Sequence, residues 1–483
     1  MSDQTVRTRF APSPTGYLHV GGLRTALYSY LYAKQHSGQF VLRIEDTDQT
    51  RLVEGAMEQL MNSLRWTGIQ YDEGPDRDGG NGPYIQSQRT EIYRRYAAQM
   101  VENGSAYHCF CTTEELEAMR ERQIAAGEAP RYDGTWRDRS PAEVKSRLDA
   151  GDPHVIRLKM PREGETVFED LVRGTIRIQN EQVDDQVLLK SDGFPTYHLA
   201  VVVDDHLMGI THIIRGEEWL LSVPKHLQIY KALGWESPNM AHLSLLLNPD
   251  RTKLSKRQGD VAVEDYMAKG YLPEALVNFV ALLGWSPGSD EEFFSLEALV
   301  EQFSLERISK SGSVFDLEKL NWMNRHYLRQ LSEDAAVKYL TPFLTAAGAD
   351  VSDADKTRKI ILAVRERINR GDEAYAAAAI FYSDTLEISE EEALAFLKEP
   401  SAKTVLAAFL SKAEALPALD MDSFKAVMKE VQQETGIKGQ ELWKPVRVAL
   451  TGMISGPELP AVIGIFGKEK VCSFVKQVLN KYV

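Results

Sequence analysis

Apolar and polar residues alternate with two different periods, which divide the chain into an α/β-patterned first half and a helical second half. Near the amino terminus, TVRTRFA alternates as a short strand does, and Leu23, Leu27 and Leu31 then recur at helical spacing. GQFVLRIEDTD predicts a second strand that ends in charged residues, and the amphipathic stretch EGAMEQLMNSLRWTG follows it. Because open α/β sheets bind ligands at the carboxyl ends of their strands, these charges indicate where a site should lie.

The middle of the chain has a different pattern. Residues 94–198 combine the helical stretch TTEELEAMRERQIAAG with the strand-like pieces HVIRLKM and GTIRIQN, which predicts a mixed α/β insertion. Strand character returns in THIIRGEEWL, and the pattern is almost wholly helical after Glu333. We therefore predict an α/β fold whose halves cover residues 1–93 and 199–248, a connecting region over 249–331, and an all-α region over 332–483.

Composition restricts the class of protein. A chain of 483 residues with 43% hydrophobic and 26% charged residues is typical of a globular protein of roughly three domains. No apolar run is long enough to span a bilayer, and MSDQTVRTRF lacks the apolar core of a signal peptide. Three cysteines cannot form a disulfide framework, so we expect a cytoplasmic protein without a membrane partner. The net charge of -14 means that any polyanion must be held by local basic patches.

The first concentration of candidate chemistry is RFAPSPTGYLHVGG, residues 9–22, which contains two prolines and three glycines. It predicts a strand, a Pro/Gly loop and a helix, an arrangement that lets a phosphate approach backbone N–H groups at a helix N-terminus. His19 lies in the loop, where its imidazole can donate a hydrogen bond to a phosphate oxygen. The alternative is a tight turn with a solvated histidine.

The second concentration is RTKLSKRQGD, residues 251–260, where Lys253, Lys256 and Arg257 flank Ser255. A basic loop of this kind can close on a triphosphate and neutralise charge as a phosphoanhydride bond breaks. Basic clusters more often lie on solvated surface loops, which is the alternative here.

Together the two motifs resemble the paired signatures of class I aminoacyl-tRNA synthetases, and in detail those of bacterial-type glutamyl-tRNA synthetases. The resemblance continues through RIEDTD, FPTYHLA, IIRGEEW, LLGWSP and KPVRVALTG, so it covers nearly the whole chain. It implies a Rossmann-type catalytic domain in two halves, a connective acceptor-binding insertion over 94–198, a stem-contact region over 249–331 carrying KLSKR, and an α-helical anticodon-binding region over 332–483. We expect a monomer, as is usual in this family.

The resemblance also implies a reaction: ATP-dependent activation of L-glutamate to glutamyl-adenylate, with Mg²⁺, followed by transfer to the 3′-terminal adenosine of tRNA(Glu). Charge stabilisation on the leaving pyrophosphate is then assigned to His19, Lys253 and Lys256. The residues implied for ATP binding are Pro12, Thr15, Gly16, His19, Gly21, Gly22, Lys253, Ser255 and Lys256. The family generally requires bound tRNA before activation, which we expect here as well.

The residues implied for glutamate binding are Arg9, Ser13, Glu45, Tyr197 and Arg215. Arginine suits a carboxylate because its planar fork can bond both oxygens, which makes Arg9 and Arg215 the candidates for that role. By the same resemblance Glu45 takes the α-ammonium, and Tyr197 and Ser13 fix the pose. The alternative for Arg215 is a structural ion pair with Glu217 or Glu218.

The sequence departs from some relatives at a zinc site. Cys109 and Cys111 resemble its first half, but Trp136 and Asp138 stand where further thiol or imidazole ligands would be expected. Structural zinc takes four ligands, and only these two thiols and His108 are offered locally. We therefore expect no structural zinc.

A basic run, KTRKIILAVRERINR at residues 356–370, interrupts the acidic carboxyl-terminal region. Its apolar residues recur every three or four positions, which predicts a helix with one buried stripe. Because arginine both bonds phosphates and stacks on bases, we assign Arg365 and Arg367 to tRNA anticodon binding. The alternative is a solvated helix whose arginines pair with acids on neighbouring helices.

Several functional alternatives remain. The enzyme could also charge tRNA(Gln), or be a glutaminyl-tRNA synthetase, although PSPTG and the helical carboxyl-terminal part are unlike that family. A nucleotidyltransferase that acts without tRNA would not need the long helical region. A non-enzymatic tRNA-binding protein would have no use for His19, Lys253 and Lys256 at this spacing.

Overall fold

The computed structural model describes residues 5–255 and 260–483. Its strands are β1 Arg7–Phe10, β2 Gln39–Leu42, β3 Ala106–Cys109, β4 Val155–Leu158, β5 Glu165–Asp170, β6 Gly174–Gln179, β7 Val187–Leu189, β8 His212–Gly216, β9 Asn239–Leu243, β10 Leu246–Leu247 and β11 Ser313–Val314. The chain forms two compact units. The first unit comprises residues 1–266 and 276–317, and the second unit comprises residues 267–275 and 318–483.

Helices account for most of the remaining regular structure. Up to residue 302 they are α1 Val20–Gln35, α2 Ala56–Trp66, α3 Thr90–Glu102, α4 Thr113–Ala125, α5 Pro141–Asp149, α6 Tyr197–Leu207, α7 Val223–Leu233, α8 Val263–Ala268, α9 Pro273–Ala281 and α10 Leu296–Gln302. Beyond it they are α11 Leu317–Gln330, α12 Glu333–Ala346, α13 Ala354–Val364, α14 Ala374–Tyr382, α15 Glu391–Leu397, α16 Pro400–Ala415, α17 Met421–Thr435, α18 Gln440–Thr451 and α19 Leu459–Lys481. No described helix is both long and apolar enough to cross a membrane.

The central sheet of the first unit has the strand order β2-β1-β8-β9-β5-β6. Neighbours from β2 to β5 pair in parallel, and β6 returns antiparallel to β5 as a hairpin. The predicted α/β fold with a Rossmann-like parallel sheet is thereby confirmed. Helix α1 packs on this sheet because Leu23, Leu27 and Leu31 share one face and are fully buried.

The β5–β6 hairpin belongs to the stretch predicted as an insertion, yet it extends the central sheet. Asp170, the last residue of β5, aligns with Met240 of β9. The rest of that stretch forms an antiparallel sheet of β3, β4 and β7. The hairpin thus carries Asp170 to the strands that hold the site, a placement that strand periodicity does not reveal.

The second unit is built almost entirely from helices around one apolar core, as the pattern after Glu333 predicts. One helix is shorter than predicted: α13 ends at Val364, and Arg365–Arg367 form a 3-10 turn instead of continuing to residue 370. The chain then extends, so that Ile368 enters the core and the Gly371 N–H donates to the Gly270 carbonyl at 3.0 Å.

Candidate active site

The Pro/Gly loop that joins β1 to α1 is fixed to the neighbouring strand. The Glu45 N–H donates to the Pro12 carbonyl at 2.9 Å, and the Thr15 N–H donates to the Ser13 carbonyl at 2.9 Å. Gly16 adopts a φ of 140°, a conformation that glycine tolerates and residues with a Cβ rarely adopt. Backbone bonds and this one glycine therefore set the shape of the loop beside the carboxyl end of β2.

His19 caps the amino terminus of α1. Its Nδ1 accepts a hydrogen bond from the Gly21 N–H at 2.9 Å, so a neutral ring must carry its proton on Nε2. A Cβ on Gly21 would lie only 3.2 Å from that Nδ1, which favours glycine at this position. The cap thereby fixes the tautomer whose Nε2–H can donate to a phosphate, which is the role predicted for His19.

The second motif begins on a tight turn after β10. The Asn248 N–H donates to the Thr252 carbonyl at 2.8 Å, and Lys253 follows with an exposed side chain. Ser255 is half-buried, whereas Lys256 lies outside the described residues.

The chain returns to the first motif directly after this segment. The Val20 N–H donates to the Val261 carbonyl at 2.8 Å, and the Val263 N–H donates to the Leu18 carbonyl at 2.8 Å. These two bonds place Val261 and Val263, a few residues after the second motif, beside the residues that flank His19.

A cavity of about 700 Å³ opens at the carboxyl ends of β1 and β8. It brings together the whole predicted glutamate set and two of the glycines, namely Arg9, Ser13, Glu45, Tyr197, Arg215, Gly21 and Gly22. The other residues predicted for ATP binding that the structure describes do not line it; they are Pro12, Thr15, Gly16, His19, Lys253 and Ser255. The cavity also holds Lys190 and Trp219, whose ring centre lies 4.2 Å from that of Tyr197.

Beneath the cavity lies a cluster of buried charges. Arg9, which is 3% exposed, donates from Nε and Nη2 to Asp205 at 3.1 and 3.3 Å. The fully buried Arg43 donates to the same carboxylate at 2.8 Å. Burial alone would raise the pKa of Asp205, but Arg9 and Arg43 hold it below its ordinary value. Arg9 therefore already has a carboxylate partner, which it shares with Arg43.

Glu45 is the acid of this cluster that also lines the cavity. It is 8% exposed and accepts a hydrogen bond from Arg43 Nη2 at 3.1 Å. Burial raises the pKa of Glu45 to about 7, in spite of the opposing effect of Arg43 and Arg9. A carboxyl group in this state exchanges its proton near neutrality and is suited to accept an ammonium group.

Two aspartates of this cluster were missed in the sequence analysis. Asp204 and Asp205 follow each other on α6 and are both buried, and Asp204 accepts hydrogen bonds from Gln86, Arg89 and Tyr93 at 2.7 to 2.9 Å. The sequence YHLAVVVDD indicates such a pair, because two acids at the end of an apolar helical run need cationic or hydrogen-bonding partners if the helix is buried.

Arg215, on β8, is 5% exposed and is held by neutral groups. Its Nε donates to His242 Nε2 at 3.0 Å, its Nη1 donates to the Tyr197 hydroxyl at 3.1 Å, and both Nη atoms lie 3.4 Å from His226 Nδ1. The alternative pairing with Glu217 or Glu218 is absent from the described part of the chain, where Glu217 instead pairs with Arg173.

The two cysteines of the suspected zinc half-site face a tyrosine. Cys109 is buried and its thiol donates to the Tyr132 hydroxyl at 3.4 Å, while Cys111 lies 4.0 Å from the same oxygen. Burial raises the pKa of the Cys111 thiol to about 12. Trp136 packs on Phe110 with ring centres 4.8 Å apart. The described residues contain no cluster of three metal-ligating side chains.

In the second unit, the basic run of residues 356–370 is largely paired. Arg358 forms ion pairs with Glu333 and Asp334, and Lys359 pairs with Asp355. These contacts agree with the alternative interpretation, in which the basic side chains of a solvated helix pair with nearby acids.

The two arginines assigned to RNA differ from each other. Arg367 donates to the carbonyls of Gly456 and Ser455 at 2.9 and 3.0 Å. Arg365 is half-buried, donates to the Leu331 carbonyl over a long 3.4 Å, and lies 3.5 Å from the carboxylate of the neighbouring Glu366. Their contact with RNA stays a prediction.

Comparison with known proteins covers both units. Residues 5–322 match the family described as tRNA synthetases class I (E and Q), catalytic domain, and residues 335–479 match the family described as anticodon binding domain. A glutamate–tRNA ligase of Alkaliphilus metalliredigens is 49% identical over 488 residues, which cover 98% of this chain and 99% of that protein. The corresponding ligase of Clostridioides difficile is 48% identical, over 98% of this chain and 99% of that protein.

Solved structures agree with these matches. A glutamate tRNA ligase from Elizabethkingia meningosepticum, crystallised in complex with its amino acid, has a TM-score of 0.90 at 37% identity, covering 99% of this chain and 100% of that chain. The glutamate–tRNA synthetase of Elizabethkingia anophelis has a TM-score of 0.91 at 37% identity with the same coverage. The chain therefore belongs to the glutamate–tRNA ligases, a family of class I aminoacyl-tRNA synthetases.

Proposed function

We propose that this chain activates L-glutamate with ATP and transfers the glutamyl group to the 3′-terminal adenosine of tRNA(Glu). The observation that carries the proposal is the cavity in which Arg215 and Glu45 lie together with the rest of the predicted glutamate set. A cation and an acid in one small cavity complement the side-chain carboxylate and the α-ammonium of glutamate. The full-length similarity to glutamate–tRNA ligases supports the same substrate.

Arg215 is the better of the two candidates for the side-chain carboxylate. Arg9 is engaged by Asp205 through two of its nitrogens, whereas the partners of Arg215 are neutral. Glu45, once ionised, accepts the α-ammonium, and Tyr197 and Ser13 orient the substrate. The α-carboxylate of glutamate then attacks the α-phosphorus of ATP. This step forms the acyl-phosphate bond of glutamyl-adenylate and releases pyrophosphate.

Negative charge accumulates on the pyrophosphate as it leaves. His19 donates from Nε2, and Lys253 and Lys256 supply positive charge from the second motif, an arrangement of preorganised donors that lowers the barrier. Pro12, Thr15, Gly16, Gly21, Gly22 and Ser255 complete the proposed ATP site. Mg²⁺ enters with ATP as part of the substrate, since it keeps phosphate and water ligands and needs at most one or two protein carboxylates.

For the transfer step, we assign the acceptor end of tRNA to residues 94–198, its stem to 249–331 and its anticodon to 332–483, with Arg365 and Arg367 as contacts. The match of residues 335–479 to an anticodon binding domain supports the last assignment. We propose that bound tRNA is required before activation. A cytoplasmic monomer fits the three cysteines and the family, and light scattering of the purified chain tests the monomer.

The experiment measures attachment of labelled glutamate and glutamine to purified tRNA(Glu) and tRNA(Gln). Glutamate on tRNA(Glu) alone supports the proposal, and glutamate on both tRNAs identifies an enzyme that also charges tRNA(Gln). Glutamine as the preferred amino acid, or no tRNA product, contradicts it. Exchange of labelled pyrophosphate into ATP, with and without tRNA, tests the order of events, because strong exchange in RNA-free enzyme excludes a tRNA requirement.

A further inference from the structure

Buried arginines at the site are held in two different ways. Arg9, Arg43 and Arg89 each form direct ion pairs with Asp204 or Asp205. Arg215 differs, because no carboxylate in the described ranges forms an ion pair with it. Its guanidinium group is thus buried among neutral hydrogen-bond partners.

The state of His242 follows from its two neighbours. An arginine keeps its proton in proteins, so Arg215 Nε must donate and His242 Nε2 must accept. His242 Nδ1 lies 2.6 Å from Asp170 Oδ2 and must then carry the proton that is donated to this carboxylate. The ring is therefore neutral, in the Nδ1–H tautomer. Burial also favours the neutral ring, because it lowers the pKa of His242.

Asp170 is itself fixed from several sides. It closes β5, is fully buried as a side chain, and accepts hydrogen bonds from the N–H groups of Val172 and Arg173 at 3.0 and 2.9 Å. The orientation of the His242 ring on β9 is consequently fixed by its hydrogen bond to Asp170, which lies at the end of β5 in the β5–β6 hairpin. The order of contacts is Asp170, His242, Arg215, and then the cavity.

We propose that His242, oriented by Asp170, is a positioning residue that fixes Arg215 without neutralising it and so determines the preference for glutamate over glutamine. A carboxylate in place of the imidazole would pair directly with Arg215 and compete with the side-chain carboxylate of the substrate. The neutral ring supplies the hydrogen bond and keeps Asp170 one ring away. This inference rests on the proposed role of Arg215 in glutamate binding.

The test compares His242→Leu with His242→Gln in the full-length enzyme. A glutamine amide has an acceptor for Arg215 and a donor for Asp170, whereas leucine has neither. We expect His242→Leu to lower kcat/KM for glutamate about 10- to 100-fold, which is the usual effect of losing a hydrogen bond to a charged group. We also expect it to lower the ratio of kcat/KM for glutamate to kcat/KM for glutamine. His242→Gln should restore most of that ratio, and KM for ATP should stay unchanged in both variants.

Two controls separate this role from a general packing effect. His212 lies at the other end of β8, where it contacts Tyr32, so His212→Leu removes a half-buried imidazole and should leave the glutamate-to-glutamine ratio unchanged. Long-range ¹H–¹⁵N spectra of histidine-labelled wild-type enzyme should show His242 with Nδ1 protonated and Nε2 bare. This measurement does not depend on whether the leucine variant folds.

The outcomes distinguish this inference from the proposed function. Wild-type enzyme that fails to charge glutamate overturns the function itself. Wild-type enzyme that charges glutamate, combined with an equal ratio in the wild type and His242→Leu, overturns only the role of His242. A protonated Nε2 in the spectrum, or failure of His242→Gln to exceed His242→Leu in discrimination, overturns it as well.

Discussion

The raised pKa of Glu45 predicts that glutamate binding depends on pH near neutrality. Burial raises this pKa to about 7, so the proton must leave before the carboxylate can accept the α-ammonium of the substrate. With that value, about one molecule in eleven is ionised at pH 6 and about ten in eleven at pH 8. We therefore expect kcat/KM for glutamate to rise about tenfold between pH 6 and pH 8.

Neighbouring buried histidines do not produce this slope. Burial lowers the pKa of His198 to about 4 and that of His226 well below its ordinary value, so both rings stay neutral over the range. The side-chain carboxyl of free glutamate is ionised throughout, because its pKa is about 4.3. Glu45, by contrast, has a pKa of about 7, which lies inside the pH range of the assay.

The assay is tRNA(Glu) aminoacylation with varied glutamate and saturating ATP, at half-unit steps from pH 6 to pH 8. Glu45→Gln should remove the slope and lower kcat/KM at pH 8 by about 10- to 100-fold, since a charge-assisted hydrogen bond to the ammonium is lost. Glu218→Gln is the matched control, because it removes an exposed carboxylate from the same cavity and should keep the slope. A flat profile in the wild type, or an unchanged slope in Glu45→Gln, would refute this argument.

Three further predictions concern the phosphate site and the basic run. Lys256→Ala should depress tRNA-dependent pyrophosphate exchange by about 10²- to 10³-fold and leave glutamate binding intact, so normal exchange would exclude its role. His19→Asn should keep the cap, because its Oδ1 can accept from Gly21, but it has no donor at the position of the imidazole Nε2, so pyrophosphate exchange should fall without a change in Tm. His19→Ala should lower both exchange and Tm, and exchange at the wild-type rate in the asparagine variant would contradict this. Arg365→Ala should raise KM for tRNA and reduce the slope of log binding constant against log salt concentration by about one, with KM for ATP unchanged. Arg367→Ala should have the same effects and should also lower Tm, because two carbonyls lose their donor. Unchanged tRNA affinity in both variants would show that the basic run of residues 356–370 has a structural role only.

Local patterns were sufficient for much of the site. The strand, loop and helix around His19 follow from the alternation and glycines of a single segment, and the structure shows that arrangement. Arg9 and Arg215 lie near the carboxyl ends of β1 and β8, and Glu45 follows the carboxyl end of β2, so a parallel sheet alone brings them to one edge. Periodicity failed at the end of α13, because a 3-10 turn over Arg365–Arg367 followed by extended backbone also buries Ile368 and gives the Gly371 N–H a hydrogen-bond acceptor.

The fold class, the helical carboxyl-terminal region and the side chains at the strand ends could be predicted from the order of the residues, because helices, strands and tight turns depend on residues close together in the chain. Which buried charges meet depends instead on contacts between distant segments. Asp170, Arg215 and His242 lie on three different strands, and their contacts depend on the strand order β8-β9-β5 and on its register. Hydrogen bonds need their partners within about 3 Å, so a shift of one residue along any of these strands would separate them.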